Sequence, residues 1–220
     1  YVERMPEGQS DIYYVLGESE AAVSSSPHLE SLKAKGYEVL YMTDPIDEWA
    51  VQGLGDFDEH KLVSVQDADL SLDESDEQKT EREEHEEAFK PLFERMQAVL
   101  QEQVGELRLS ARLTDSPCCL VVPAGGHHAY LERLLRAQDQ SVPRSKRILE
   151  VNPSHPLVLN LKALHDLQPD SEPVTAWIEM LYDQVLLSEG TPLDDPSRMA
   201  RRVTQLMEEA SSTALATLSD

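Results

Sequence analysis
Residues 174–210 constrain this chain more than any other stretch. Val174, Trp177, Ile178, Leu181 and Val185 recur at i, i+3, i+4, i+7 and i+11, which is one face of an α-helix. Gly190 and Pro192 end that helix, and Asp194, Asp195 and Pro196 suit the first turn of another. The second helix carries Met199, Val203, Leu206 and Ala210 at i, i+4, i+7 and i+11. Met180, Leu186, Leu187 and Met207 lie off the main stripe, so the hairpin is apolar over more than one face. Little chain follows to cover it. A second copy of the hairpin is the simplest cover, giving an isologous four-helix dimer with Trp177, Ile178, Leu181, Val185, Met199, Val203 and Leu206 at its interface. An ordinary core hairpin within one chain is the alternative.

The formal net charge of −23 over 220 residues argues against nucleic acid and anionic membrane as partners, since both are polyanions. There is no apolar leader and no run of about 18 apolar residues, so a soluble, cytoplasmic protein is expected. A first residue other than Met leads us to expect a piece of something longer. The two cysteines, Cys118 and Cys119, are adjacent, and we expect reduced thiols inside a strand.

The first part of the chain alternates strand and helix. Residues 11–17 and 37–42 are short apolar runs rich in strand formers, and 61–65 is a third strand. Between them lie helical segments, one over 18–35 broken at Pro27 and one opened by Asp44-Pro45 that carries Ile46, Trp49, Ala50 and Leu54. That order predicts a small, mostly parallel three-layer α/β/α unit. Residues 67–87 hold eleven acidic residues and almost nothing apolar, so they read as a solvated linker passing into a helix near Glu81. The boundary is expected inside this tract, giving units 1–80 and 81–220. Beyond it, 106–114 alternates as a half-buried strand, and 118–122 and 146–151 are further strands. Helices are expected at 128–138 and from Pro156, and a frayed tail after Ala210. The fold class is α+β: the α/β/α unit, then an α+β domain ending in the helical hairpin.

Catalytic patterns are missing. There is no glycine-rich dinucleotide turn, no phosphate-binding Gly-Lys-Ser/Thr loop and no Gly-x-Ser-x-Gly elbow. Gly17-Glu18-Ser19 has the position of a phosphate loop but offers a carboxylate where an anion would sit. The histidines do not pair at metal spacing, and His127 and His128 would diverge on a helix. Apolar surface remains: Trp49 beside two acids, and the helix with Leu131, Leu134 and Leu135. Each reads either as core or as a ridge that grips other proteins.

Several stretches together resemble the heat-shock protein 90 chaperone family. They are Tyr1-Val2-Glu3-Arg4-Met5 with Asp11-Ile12-Tyr13-Tyr14, Ser26-Pro27-His28-Leu29-Glu30, and Lys35-Gly36-Tyr37-Glu38-Val39-Leu40. Asp44-Pro45-Ile46-Asp47-Glu48-Trp49, Ser116-Pro117-Cys118-Cys119 and Leu149-Glu150-Val151-Asn152-Pro153 complete the set. The resemblance covers the end of the family's middle domain and its C-terminal dimerisation domain. It implies that ATP and Mg bind in a domain absent here, so this chain is expected to have no cofactor, no metal, no catalytic residue and no ATPase activity. It implies a homodimer through the last two helices and contact with partly folded client proteins. The client-contacting positions fall on Glu48, Trp49 and Gln52, and on His127, Leu131, Leu134 and Leu135. His127 stands where bacterial members can have an apolar residue. The tail Ala216-Thr217-Leu218-Ser219-Asp220 lacks the recruiting and retention signals of eukaryotic members and resembles the bacterial form.

Overall fold
The computed structural model describes residues 1–70, 76–137 and 145–219. The first sheet is built from β1 (Ile12–Leu16), β2 (Val39–Met42), β3 (Asp56–Phe57) and β4 (His60–Ser64), in the order β2-β1-β4-β3. β1 pairs in parallel with both β2 and β4, as the strand-helix alternation predicts. The two-residue β3 is an addition: it turns back on β4 through Asp58 and Glu59, both at positive φ. All five side chains of the central β1 are buried because helices cover both faces. Tyr13 and Val15 pack with Val23 of α1 (Glu20–Ser24) and Leu32 of α2 (Glu30–Ala34). Tyr14 and Leu16 pack on the other side with Val51 of α3 (Asp47–Leu54). Pro27 does split the 18–35 segment, and a 3-10 turn at Pro27–Leu29 joins its halves.

The long α4 (Asp76–Leu100) starts earlier than the acid-rich composition suggests. Pro91 interrupts its hydrogen-bond ladder at an exposed position, away from the buried Phe89, Leu92, Met96 and Leu100. The second sheet has the order β5-β7-β6, from β5 (Val104–Leu109), β6 (Cys118–Val121) and β7 (Arg147–Val151). β7 is parallel to β5 and antiparallel to β6. The expected alternation over 106–114 stops at Leu109. The last ladder bond runs from Ser110 N–H to Val151 (2.9 Å); beyond it Ala111 is exposed and Arg112 turns inward. α5 (Ala129–Ala137), α6 (Pro156–Leu167), α7 (Glu172–Ser188) and α8 (Pro196–Ser219) complete the chain.

The terminal hairpin forms, but its helices differ in kind. Val174, Ile178, Leu181 and Val185 of α7 are buried in the main core with Phe89, Met96, Leu120 and Leu149. Ile178 (0 % exposed), Leu181 and Val185 (2 % each) have no surface left for a second copy. Their assignment to a dimer interface is therefore corrected: α4 and the second sheet already cover that face. Trp177 packs partly against the same core. α8 is the opposite case. Met199 and Leu206 are half-buried, while Val203 is 39 % and Met207 67 % exposed. The tail does not fray after Ala210; α8 continues to Ser219, leaving Leu215 and Leu218 at 67 % and 85 % exposure. Arg198 and Arg202 reach back to Asp183 and Glu179 of α7.

Core placement of α7 has a measurable consequence. Ile178→Ala should cost about 2–5 kcal/mol in urea unfolding, the usual range for emptying a closely packed site. The loss should be the same at protein concentrations tenfold apart, which distinguishes a core side chain from an interface one.

Candidate functional site
The segments flanking the two sheets meet along a dense set of polar contacts. Ala68 N–H donates to the Val122 carbonyl (2.8 Å), and Val122 N–H donates to that of Gln66 (2.9 Å). This parallel bridge pins the start of the acidic tract to the end of β6, so Asp67 and Ala68 are not solvated linker. The Glu30 carboxylate accepts the backbone N–H groups of Thr114 (2.7 Å), Asp115 (2.8 Å) and Ser116 (3.1 Å), and the Ser116 hydroxyl. Those hydrogen bonds overcome partial burial and hold Glu30 below the ordinary carboxylate pKa.

Beside this seam lies a crevice of about 380 Å³. Its walls bring together Glu48 and Gln52 of α3, Asp67 and Asp69 of the bridging segment, and His127, His128 and Leu131 at the start of α5. Local backbone chemistry sets this up. Gly125 turns the chain at φ +75°, and a Cβ on Gly126 would lie 2.9 Å from the Val122 side chain. The chain thus reverses tightly after β6 and delivers His127 and His128 to the crevice.

His128 is the centre of the site. Its Nε2 lies 3.1 Å from both Asp67 Oδ1 and Ser64 Oγ, and its Nδ1 lies 3.7 Å from Glu48 Oε1. Burial alone would lower its pKa, but the bonds to Asp67 and Glu48 win and raise it to about 9. The ring is therefore an imidazolium between two carboxylates at neutral pH. Tyr14, beneath them, is pushed up to about 12 by burial and by the same two carboxylates.

The expected client-contacting residues fall on both sides of this crevice, but not all at its surface. Trp49 (46 % exposed), Gln52 and His127 are exposed. Glu48 is 2 % exposed and is held by Gln52 (3.4 Å) and His128, so a free client contact there is corrected to a buried ion-pair partner. Leu131 is 6 % exposed, Leu134 packs partly on Tyr14, Leu16 and Val51, and Leu135 is half-buried. His128, Asp67 and Ser64 carried no signal as a group in sequence, since His128 lies 61 and 64 residues from the other two.

Other candidate chemistry resolves into packing. Gly17 is required because a Cβ would meet Val23 Cγ1 at 2.4 Å, which accounts for it without a phosphate. Cys118 and Cys119 are free and buried, and burial pushes both thiols up, Cys118 to about 12. No cluster of three or more metal-ligating groups occurs among the described residues.

Residues 1–219 match the family model described as "Hsp90 protein". The chain belongs to the Hsp90 family. It is 58 % identical over 218 residues to the chaperone protein HtpG of Myxococcus xanthus, covering 98 % of this chain and 33 % of that protein. HtpG of Geobacter sulfurreducens is 48 % identical over 210 residues, covering 94 % of this chain and 32 % of the relative. HtpG of Magnetococcus marinus is 50 % identical over 213 residues, covering 94 % and 33 %. The bacterial form read from the tail is thus the form these relatives carry. The chain spans about a third of their length. No helix among the described residues is long and apolar enough to cross a membrane.

The raised His128 pKa is a stability term with a definite sign. A group whose folded pKa exceeds its unfolded value near 6.5 stabilises fully below pH 6.5 and loses that contribution as pH rises through about 9. Unfolding free energy should fall over this window by up to about 3 kcal/mol at 1.36 kcal/mol per unit. The His128→Gln variant should show a flatter profile, measured by urea denaturation from pH 6 to 10.

Proposed function
We propose that this chain is the dimerising, client-contacting part of an ATP-driven molecular chaperone. The observation that carries the reading is the uncovered apolar stripe of α8, whose Val203, Met207, Leu215 and Leu218 are 39–85 % exposed. A contiguous apolar stripe of this kind marks an interaction surface. An isologous pairing, α8 with the outer side of α7 from each of two copies, forms a four-helix bundle and covers it. Met199, Val203 and Leu206 contribute from α8, and Trp177 from the edge of α7. Likeness to the HtpG chaperones supports the wider role. ATP is bound with Mg and hydrolysed elsewhere in the parent protein, and this part performs no chemistry of its own. It acts in the cytoplasm, on partly folded proteins, with no nucleic acid or membrane partner. Clients meet Trp49 and Gln52 on one side of the crevice and His127, Leu134 and Leu135 on the other. Two copies in a dimer add avidity to weak contacts.

A second reading, a dimerisation module without client contact, is favoured by one observation, the burial of Leu131 against its own chain.

Two variants separate the parts of the proposal. Val203→Asp with Leu206→Asp should halve the sedimentation mass at micromolar concentration and leave circular dichroism unchanged; a mass unaffected by the two charges removes α8 from the interface. Leu134→Ser with Leu135→Ser should keep the dimer and weaken suppression of client aggregation several-fold. Full suppression by that variant selects the second reading.

A further inference from the structure
α5 places Leu131, Leu134 and Leu135 at helical spacing, yet Leu131 does not face solvent and the other two are half-buried. Leu131 is buried and Leu134 rests on the first sheet. Its N-terminal end is fixed by one residue. His128 precedes the helix, and its carbonyl accepts the Glu132 N–H (3.0 Å), so the ring and the first turn move together. The ring is 13 % exposed and contacts three separate elements of the first unit: Ser64 at the end of β4, Asp67 in the bridging segment and Glu48 in α3. One of these, Glu48, is itself a position that resemblance gives to clients.

We propose that the His128–Asp67–Glu48 cluster is a latch that holds α5 closed on the first sheet and keeps Leu131 and Leu134 covered until it opens. This rests on the reading of the α5 leucines as client surface. The latch turns the crevice from a preformed groove into one that opens when its ion pairs break. A client carboxylate competing for His128, or a client cation competing for Asp67, would open it from outside. Arg133 ties the far side of α5 separately, through Glu18 (3.1 Å, 60 % exposed) and the Glu189 carbonyl (2.8 Å).

The charged and titratable groups around the ring act in one direction. Glu48 and Asp67 face it directly, and Asp69 and His127 share the crevice wall. Tyr14 lies below with a pKa near 12, and His28, behind β1, is neutral because burial and then Arg112 lower it to about 3. His128 is thus the cation on which the two facing carboxylates converge.

The test is amide hydrogen exchange on the 220-residue chain, wild type against His128→Gln and, separately, Asp67→Asn. Exchange over residues 129–135 should accelerate at least about tenfold in both variants, with β7 and α7 unchanged and more binding of an anilinonaphthalene sulfonate dye. Unchanged exchange at α5 in both variants overturns the latch, and so does equal acceleration throughout the chain. Should one variant fail to fold, the other carries the measurement. Raising wild type from pH 8 to pH 10 should release the same dye binding, which a pH-independent signal would contradict. Client-aggregation assays on the same variants separate the two claims: open α5 with unimproved suppression leaves the latch and removes the leucines as client surface.

Discussion
One buried carboxylate holds the architecture together. Glu150, on the central strand β7, accepts from Arg108 (2.7 Å), Ser110 (3.0 Å) and the Arg112 guanidinium (2.9 Å). Arg112, also buried, donates onward to the carbonyls of Val65 (2.7 Å) and Asp67 (3.0 Å), just past β4 of the first sheet. Arg108 reaches the carbonyl of Ala68 (2.6 Å). Buried ion pairs often add little over apolar packing of the same volume. Here an aliphatic replacement would leave main-chain carbonyls of the seam without donors, so the guanidinium forks do what packing cannot. The seam in turn fixes Asp67, and Asp67 fixes His128. The candidate site therefore inherits its geometry from a strand interior.

Much of this was legible in residue order. Alternating strands and helices with punctuation at Pro27 and Asp44-Pro45 predicted the first sheet and its parallel pairing, because local rules govern short βα units. The hairpin at the end of the chain was legible for the same reason. What escaped was anything joining distant residues. Arg112 sits in an alternating run and looked solvent-facing; only a partner some forty residues away turns it inward. The acidic tract looked uniformly solvated, yet its first residues are bound by a β-bridge that composition does not reveal.

The apolar stripe of α7 shows how periodicity underdetermines a partner. Helical spacing identifies a face that must be covered, and says nothing of whether α4 and a sheet or another copy covers it. α8 carries the same signal and leaves Val203 and Met207 exposed among the described residues. Two adjacent helices with equal amphipathic claims thus divide the work: α7 closes the core, and α8 presents the surface the core does not need. The positions expected to meet clients divide likewise, with Trp49 outward and Glu48 inward on successive residues of one helix.

The paired cysteines give the second sheet a chemical silence that depends entirely on its integrity. Cys118 and Cys119 lie in β6, antiparallel to β7, with Cys118 Sγ 3.9 Å from the Leu181 carbonyl. Neither sulfur meets water or ionises at ordinary pH while that strand stays in register. An alkylating reagent can reach them only when β6 leaves the sheet, so the chain carries two built-in clocks for the rarest opening of its own interior.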